Sequence, residues 1–161
     1  MGGGEPIKIA ALLNLTGDAA AWGENAQKAI QLAVEKVNQE GGINGKRVEI
    51  IYEDTGGDAK RDVSAYQKVT SIDGVVAVLG PLNQTEDLAV MPLIEQTKTP
   101  TVVPGYVPLK NRKNVSNLLL IWMDAEVEAG RLSQYLFDQG IRTVGVIVTL
   151  DSWENTVSTA F

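Results

Sequence analysis

Short apolar runs alternate along this 161-residue chain with longer stretches whose apolar residues recur every three or four positions. No feature constrains the fold more. Strict strand–helix alternation implies parallel strands joined by right-handed crossovers, with helices on both faces of one sheet. The runs Ile7–Leu13, Arg47–Tyr52, Val75–Leu79, Thr101–Val103, Leu118–Trp122 and Arg142–Val148 read as strands. The central one, Val75–Leu79, is apolar without alternation, as expected of a strand covered on both faces. It empties through Gly80-Pro81 and a polar loop, Leu82-Asn83-Gln84, into a helix predicted to start at Thr85 as N-cap. Glu86 and Asp87 then fall in the first turn, where they suit the positive end of the helix dipole.

The helical stretches carry clear stripes. Ala26, Ala29, Ile30, Ala33, Val34 and Val37 line one face of a helix that stops at Gly41-Gly42. Asn44-Gly45 predicts a tight turn into the second strand. Asp58 caps a helix that turns Val63, Tyr66 and Val69 inward. The helix after the central strand runs to about Gln96 through Pro92, which removes one hydrogen bond. Gly105–Asn117 shows no period and reads as a loop. Asp124 is an N-cap for a helix ending near Gly140, and a last helix begins at Ser152.

Composition narrows the function. A net charge of −6, with no cluster of lysine and arginine, argues against a nucleic-acid surface. The chain has no histidine and no cysteine. Common zinc sites, thiol or histidine nucleophile systems and disulfides therefore drop out, and neither a metal nor a cofactor is expected. No apolar run approaches the roughly 20 residues of a membrane helix.

Four loops should gather at the carboxyl edge of a parallel sheet: Asn14–Trp22, Glu53–Asp58, Gly80–Thr85 and Pro104–Pro108. Open α/β folds bind ligands at that edge, often anions at helix N-termini. The first loop, Asn14-Leu15-Thr16-Gly17-Asp18-Ala19, lacks the dinucleotide G-x-G-x-x-G pattern, and a Walker phosphate loop is absent. Asn14 and Gly80 stand where a receiver domain needs acidic residues. A nucleophile elbow is missing too. Binding without chemistry remains.

The order of local motifs is specific. Thr16-Gly17-Asp18-Ala19-Ala20-Ala21-Trp22-Gly23, Ala33–Asn38 and Gly41-Gly42-Ile43-Asn44-Gly45 resemble the opening of periplasmic solute-binding proteins of the leucine/isoleucine/valine-binding type. Glu53-Asp54 with Asp58, Gly80-Pro81, Pro104, and Asp124 with Gly130 sit where that family has similar residues. The resemblance implies a type I clamshell. Residues 1–6 form a leader, 7–121 a first α/β lobe, and 122–161 a hinge crossing and the incomplete beginning of a second lobe. It also implies a non-enzymatic, exported protein that hands a small molecule, amino-acid or small organic-acid like, to the membrane subunits of an ABC permease. The same clamshell serves as the sensor part of signalling receptors, which is the alternative. An enzyme built on Glu53 and Asp54 is disfavoured, because adjacent residues on an extended segment point apart.

Site residues follow by matching position. The loop after the third strand places Asn83, Gln84 and Thr85 where branched-chain binders offer a serine to the ligand carboxylate. The loop after the fourth places Gly105 and Val107 where they offer backbone groups and a threonine. Both are departures from the α-amino-acid clamp, although backbone N–H groups at Thr85 and Val107 suit a carboxylate. Trp22 and Trp153 match the family's aromatics in the first and second lobes, and each reads either as local packing or as a ligand wall. Tyr106 and Trp122 stay undecided. The Gly2-Gly3-Gly4 leader resembles the spacer behind a lipoprotein's modified cysteine, so a periplasmic or extracellular membrane-anchored protein is expected. The lone strand Arg142–Val148 lacks a neighbour and cover, which predicts a partial protein, weak ligand binding by the chain alone and a possible homodimer.

Overall fold

The computed structural model describes residues 4–113, 115–148 and 152–161. The chain divides into two compact units, Met1–Ile121 and Trp122–Phe161.

The first unit is one parallel five-stranded sheet. The strands are β1 (Ile7–Leu13), β2 (Val48–Asp54), β3 (Ala77–Leu79), β4 (Thr101–Val103) and β5 (Leu118–Leu120), in the spatial order β2-β1-β3-β4-β5. Every ladder is parallel. In the central pairings Ile9 meets both Ile50 and Ala77, and Leu79 meets Val102. The connecting helices are α1 (Ala20–Gln39), α2 (Ala59–Ser71), α3 (Gln84–Thr97) and the single turn α4 (Leu109–Arg112).

The core lies between the sheet and the α2–α3 layer. Ala10, Leu12 and Val78 from the strands pack with Ala65, Tyr66 and Val69 of α2 and Val90, Met91 and Ile94 of α3. Side chains alternate across a sheet, so Ala11, Leu79, Val102 and Leu119 point to the opposite face. These four are register neighbours across β1, β3, β4 and β5. On that face Leu119 is 58% exposed, whereas Ala11 is buried. The α1 stripe packs against β1 and β2, and its Ile30, Val34 and Val37 are half-buried.

Local chemistry sets the joints. Asn44 and Gly45 both take positive φ, the tight turn expected before β2. The Asn38 side chain behaves as a strand segment: its amide donates to Val48 O at 2.9 Å, and its Oδ1 accepts from Val48 N at 2.8 Å. This pins the end of α1 to the start of β2. Asp58 caps α2 as expected, accepting from Lys60 N and Arg61 N. Asn117 secures the other side of the sheet by donating to Ile94 O and Thr99 O.

Four sequence expectations change. The cap of α3 is Asn83, whose side chain accepts from Glu86 N, and the helix starts at Gln84 rather than after Thr85. Asparagine two residues earlier is the stronger cap, and its Oδ1 reaches an orphan N–H of the first turn. The Gly105–Asn117 stretch contains α4 rather than loop alone. The central strand is shorter than expected, Ala77–Leu79 rather than Val75–Leu79, while Glu86 and Asp87 lie in the first turn of α3 as expected and are buried, at 1% and 0% exposure.

The fourth correction concerns Arg142–Val148. No strand forms there. A strand needs a partner for its main-chain groups, and none lies alongside among the described residues. Val144, Val146 and Ile147 are exposed as a result. The second unit is otherwise helical, with α5 (Ala125–Asp138) and α6 (Ser152–Ala160). Asp124 caps α5 by accepting from Glu126 N and Val127 N. Ser133 Oγ donates to Ala129 O or to Phe161 O, which ties the two helices together.

Candidate functional site

Because every strand runs the same way, the segments after β1, β2, β3 and β4 emerge on one edge of the sheet. They are fastened to one another from below. Asp54, the last residue of β2, takes Leu15 N at 2.9 Å, Thr16 N at 3.2 Å, Thr16 Oγ1 at 2.8 Å and Gly56 N at 3.1 Å. Partial burial pushes its carboxyl up. The hydrogen bonds from Thr16, Leu15 and Gly56 outweigh that and hold it below the usual carboxylate range. Asp54 is thus a structural clamp on the first two loops, as a turn former should be.

A second set of bonds reaches the third loop. Thr55 Oγ1 lies 3.1 Å from Asn14 Oδ1, and Asn14 Nδ2 donates to Glu86 Oε1 at 3.3 Å. Asn83 Nδ2 donates to the same Glu86 oxygen. Close backbone packing completes the arrangement. Gly80 sits at φ +96°, and a Cβ there would lie 2.3 Å from Leu12 O. Gly23 presses α1 against the first loop so closely that a Cβ would meet Asn14 O at 2.1 Å. Only glycine fits either place.

The expected site residues fall unevenly on this frame. Asn83 and Thr85 are exposed at the start of α3, while Gln84 between them is buried. Gly105 and Val107 follow β4 on the same edge. Their side-chain positions point inward: Val107 is fully buried in the core cluster, so only its backbone is available to a ligand. Tyr106 is buried at 2%. Trp22 stands in the first turn of α1, 73% exposed. The fold therefore brings Asn83, Thr85, Gly105 and Val107 to one edge. Trp153 belongs to the second residue position of α6, and its side chain lies outside the described residues. Trp122 is half-exposed at the start of the second unit.

A concavity of about 350 Å³ lies elsewhere, beside α2, lined by Glu53, Asp54, Lys60, Arg61, Ser64 and Lys68. It is an open groove between side chains that already pair, since Lys68 bridges Glu53 and Asp73. None of the expected site residues lines it, and the edge geometry is the better guide.

The residues that sequence reasoning missed are three carboxyls: Asp62 on α2 and Glu86 and Asp87 on α3. Burial, and then the neighbouring Glu86 charge, push Asp62 up to about 7. Burial, then Glu86 and Asp62, push Asp87 up to about 9. Burial also raises Glu86, against the hydrogen bonds from Asn83 and Asn14. A signal was present. Asp62 leads the buried stripe Ala65, Tyr66, Val69, and Asp87 leads Val90, Met91, Ile94. Each sits at helical spacing on the core side.

Among the described residues no acidic group is arranged to hold a metal ion. What the fold and the edge define is an open α/β lobe whose strand ends carry backbone groups and short polar side chains on one edge, the edge at which open α/β folds bind ligands. The comparisons agree: residues 6–161 match the periplasmic binding protein family, and the chain belongs to it.

Particular relatives are similar over part of their length. The Leu/Ile/Val-binding protein BraC3 of Rhizobium johnstonii is 32% identical over 114 residues, 70% of this chain and 31% of that protein. The crystal structure of the branched-chain amino acid transporter substrate binding protein LivJ from Streptococcus pneumoniae, in complex with isoleucine, superimposes with a TM-score of 0.75. It is 25% identical, over 83% of this chain and 38% of that one. A solute binding protein of an ABC transporter from Rhodopseudomonas palustris, in complex with 3,4-dihydroxy benzoic acid, gives 0.84 at 19% identity over 97% of this chain and 42% of that one. The last likeness is one of fold alone. The chain spans about a third of the length of the curated relatives it matches.

Proposed function

We propose that this chain supplies the first lobe of an exported solute-binding protein that captures a small carboxylate-bearing molecule for an ABC transporter. Membership of the periplasmic binding protein family over residues 6–161 carries the reading. The edge geometry supports it. Asn83 and Thr85 at the N-terminus of α3, with the backbone of Gly105 and Val107, suit an anionic group. Trp22 supplies an aromatic surface, and the aromatic acid held by one structural neighbour and the isoleucine held by another bracket the ligand class. The protein performs no chemistry on its ligand on this reading, and the permease membrane subunits are its partners. The relatives named for transport favour this over the sensor alternative. No helix among the described residues is long and apolar enough to cross a membrane.

The test is calorimetric titration of the protein carrying both lobes against isoleucine, leucine and 3,4-dihydroxybenzoate. Micromolar or tighter binding of one class is expected. Binding of none of the three, with native mass spectrometry finding no co-purified small molecule, would overturn the reading.

A further inference from the structure

Asp62, Glu86 and Asp87 meet in the layer between α2 and α3, directly under the ligand edge. All three are at most 1% exposed. Neither oxygen of Asp87 has a hydrogen-bond partner among the described residues. Asp62 has only the Thr55 hydroxyl nearby, and no bond of normal geometry forms. That hydroxyl also reaches Leu13 O and Asn14 Oδ1, so its one proton is shared among competing acceptors and favours an ionised Asp62 less than burial opposes it. Glu86 differs, because its Oε1 takes the amides of Asn14 and Asn83.

Among the described residues no ion pair joins any of the three to a cation. From α2 the ionisable neighbours are Asp58, another acid, and Arg61, which is drawn to Asp58. From β1 and β2 come Asn14 and Thr55, neither ionisable. The β4 loop brings Gly105, so close that a Cβ would meet Asp87 Oδ2 at 2.2 Å, and the buried Tyr106. Three carboxyls in one water-poor layer cannot all be charged. Nor is a metal their answer, since the described residues offer no arrangement that would hold one.

We propose that Asp62 and Asp87, protonated beside Glu86, form a seat beneath the loops that follow β3 and β4, holding both in place while the two aspartic acids are neutral and loosening them when Asp87 ionises. Asp87 presses on Gly105, and Glu86 holds Asn83, so ionisation is felt at both loops. The sign follows from linkage. Asp87 ordinarily titrates near 3.8 and in the fold near 9. Folding therefore favours the protonated form, and that contribution is complete below about 4 and is lost as pH rises toward 9. Weaker ligand capture at alkaline pH follows only if these loops face the ligand, as proposed above. The seat itself stands without that reading.

The experiment is urea unfolding of this chain at pH 5 to 9.5, for the native sequence and for Asp87→Asn, a neutral isostere. The native folding equilibrium constant should fall about tenfold or more between pH 7 and 9 beyond any fall in the variant. Hydrogen exchange at residues 105–107, corrected for its intrinsic pH dependence, should show protection lost at pH 9 in the native chain and kept in the variant. If Asp87→Asn does not fold, Asp87→Ser, small and uncharged, is held to the same comparison. Parallel pH profiles, or unchanged loop protection, overturn the proposal. Such a result leaves the transport reading intact, and a failure to bind solutes leaves the seat intact.

Discussion

A tryptophan left 73% exposed contributes little to a core. Trp22→Ala should therefore change stability by less than about 0.5 kcal/mol. If its ring faces the ligand, the same change weakens solute binding by the protein with both lobes roughly tenfold, which is about 1.4 kcal/mol. Titration against the bound solute checks this, and an unchanged dissociation constant returns Trp22 to a packing role. Gly80 is the opposite case. It combines φ +96° with a Cβ position 2.3 Å from Leu12 O. Gly80→Ala should lose about 3 kcal/mol or more, because backbone strain and a clash with a central strand add together. A denaturation midpoint within error of the parent chain would contradict that.

Helix ends show what local chemistry can and cannot reveal. Asp58 and Asp124 are legible as caps because a short acceptor precedes an apolar stripe, and both make the expected pairs of bonds. Asp58→Ala should cost about 1 kcal/mol, read by urea unfolding. The α3 terminus is less legible. Asn83, Thr85, Glu86 and Asp87 all suit a helix start by residue type, and only packing decides which caps and which is buried. The stripe from Asp87 through Met91 and Ile94 carries that information, but a charged residue is ordinarily assigned to solvent. The strand expected over Arg142–Val148 failed for a different reason. Its residue types favour a strand, yet a strand is defined by a neighbour, and a sequence run cannot announce one. Where a neighbour exists, as for β1 between β2 and β3, residue pattern and structure coincide.

For the molecule as a whole, the sheet is covered unequally. One face carries α2 and α3, and the other leaves Leu119 58% exposed beside the half-buried Val102 and Leu79. Val144, Val146 and Ile147 add exposed apolar surface in the second unit. Exposed apolar surface on either unit favours association. The chain should self-associate with rising concentration in light scattering, and Leu119→Lys should shift the distribution toward monomer. A native chain that stays monomeric at millimolar concentration would count against it.

The strand order also has a consequence in time. β1 leads the chain, yet it lies between β2 and β3, and Ile9 cannot finish its pairing until Ala77 has been made. Closing so wide a loop before any reward is slow. A ribosome releases the first strand long before the partner that completes it, so β1 waits with β2 on one side and its other side unpaired. Until the central strand arrives, the sheet grows in one direction only, outward from β1 to β2.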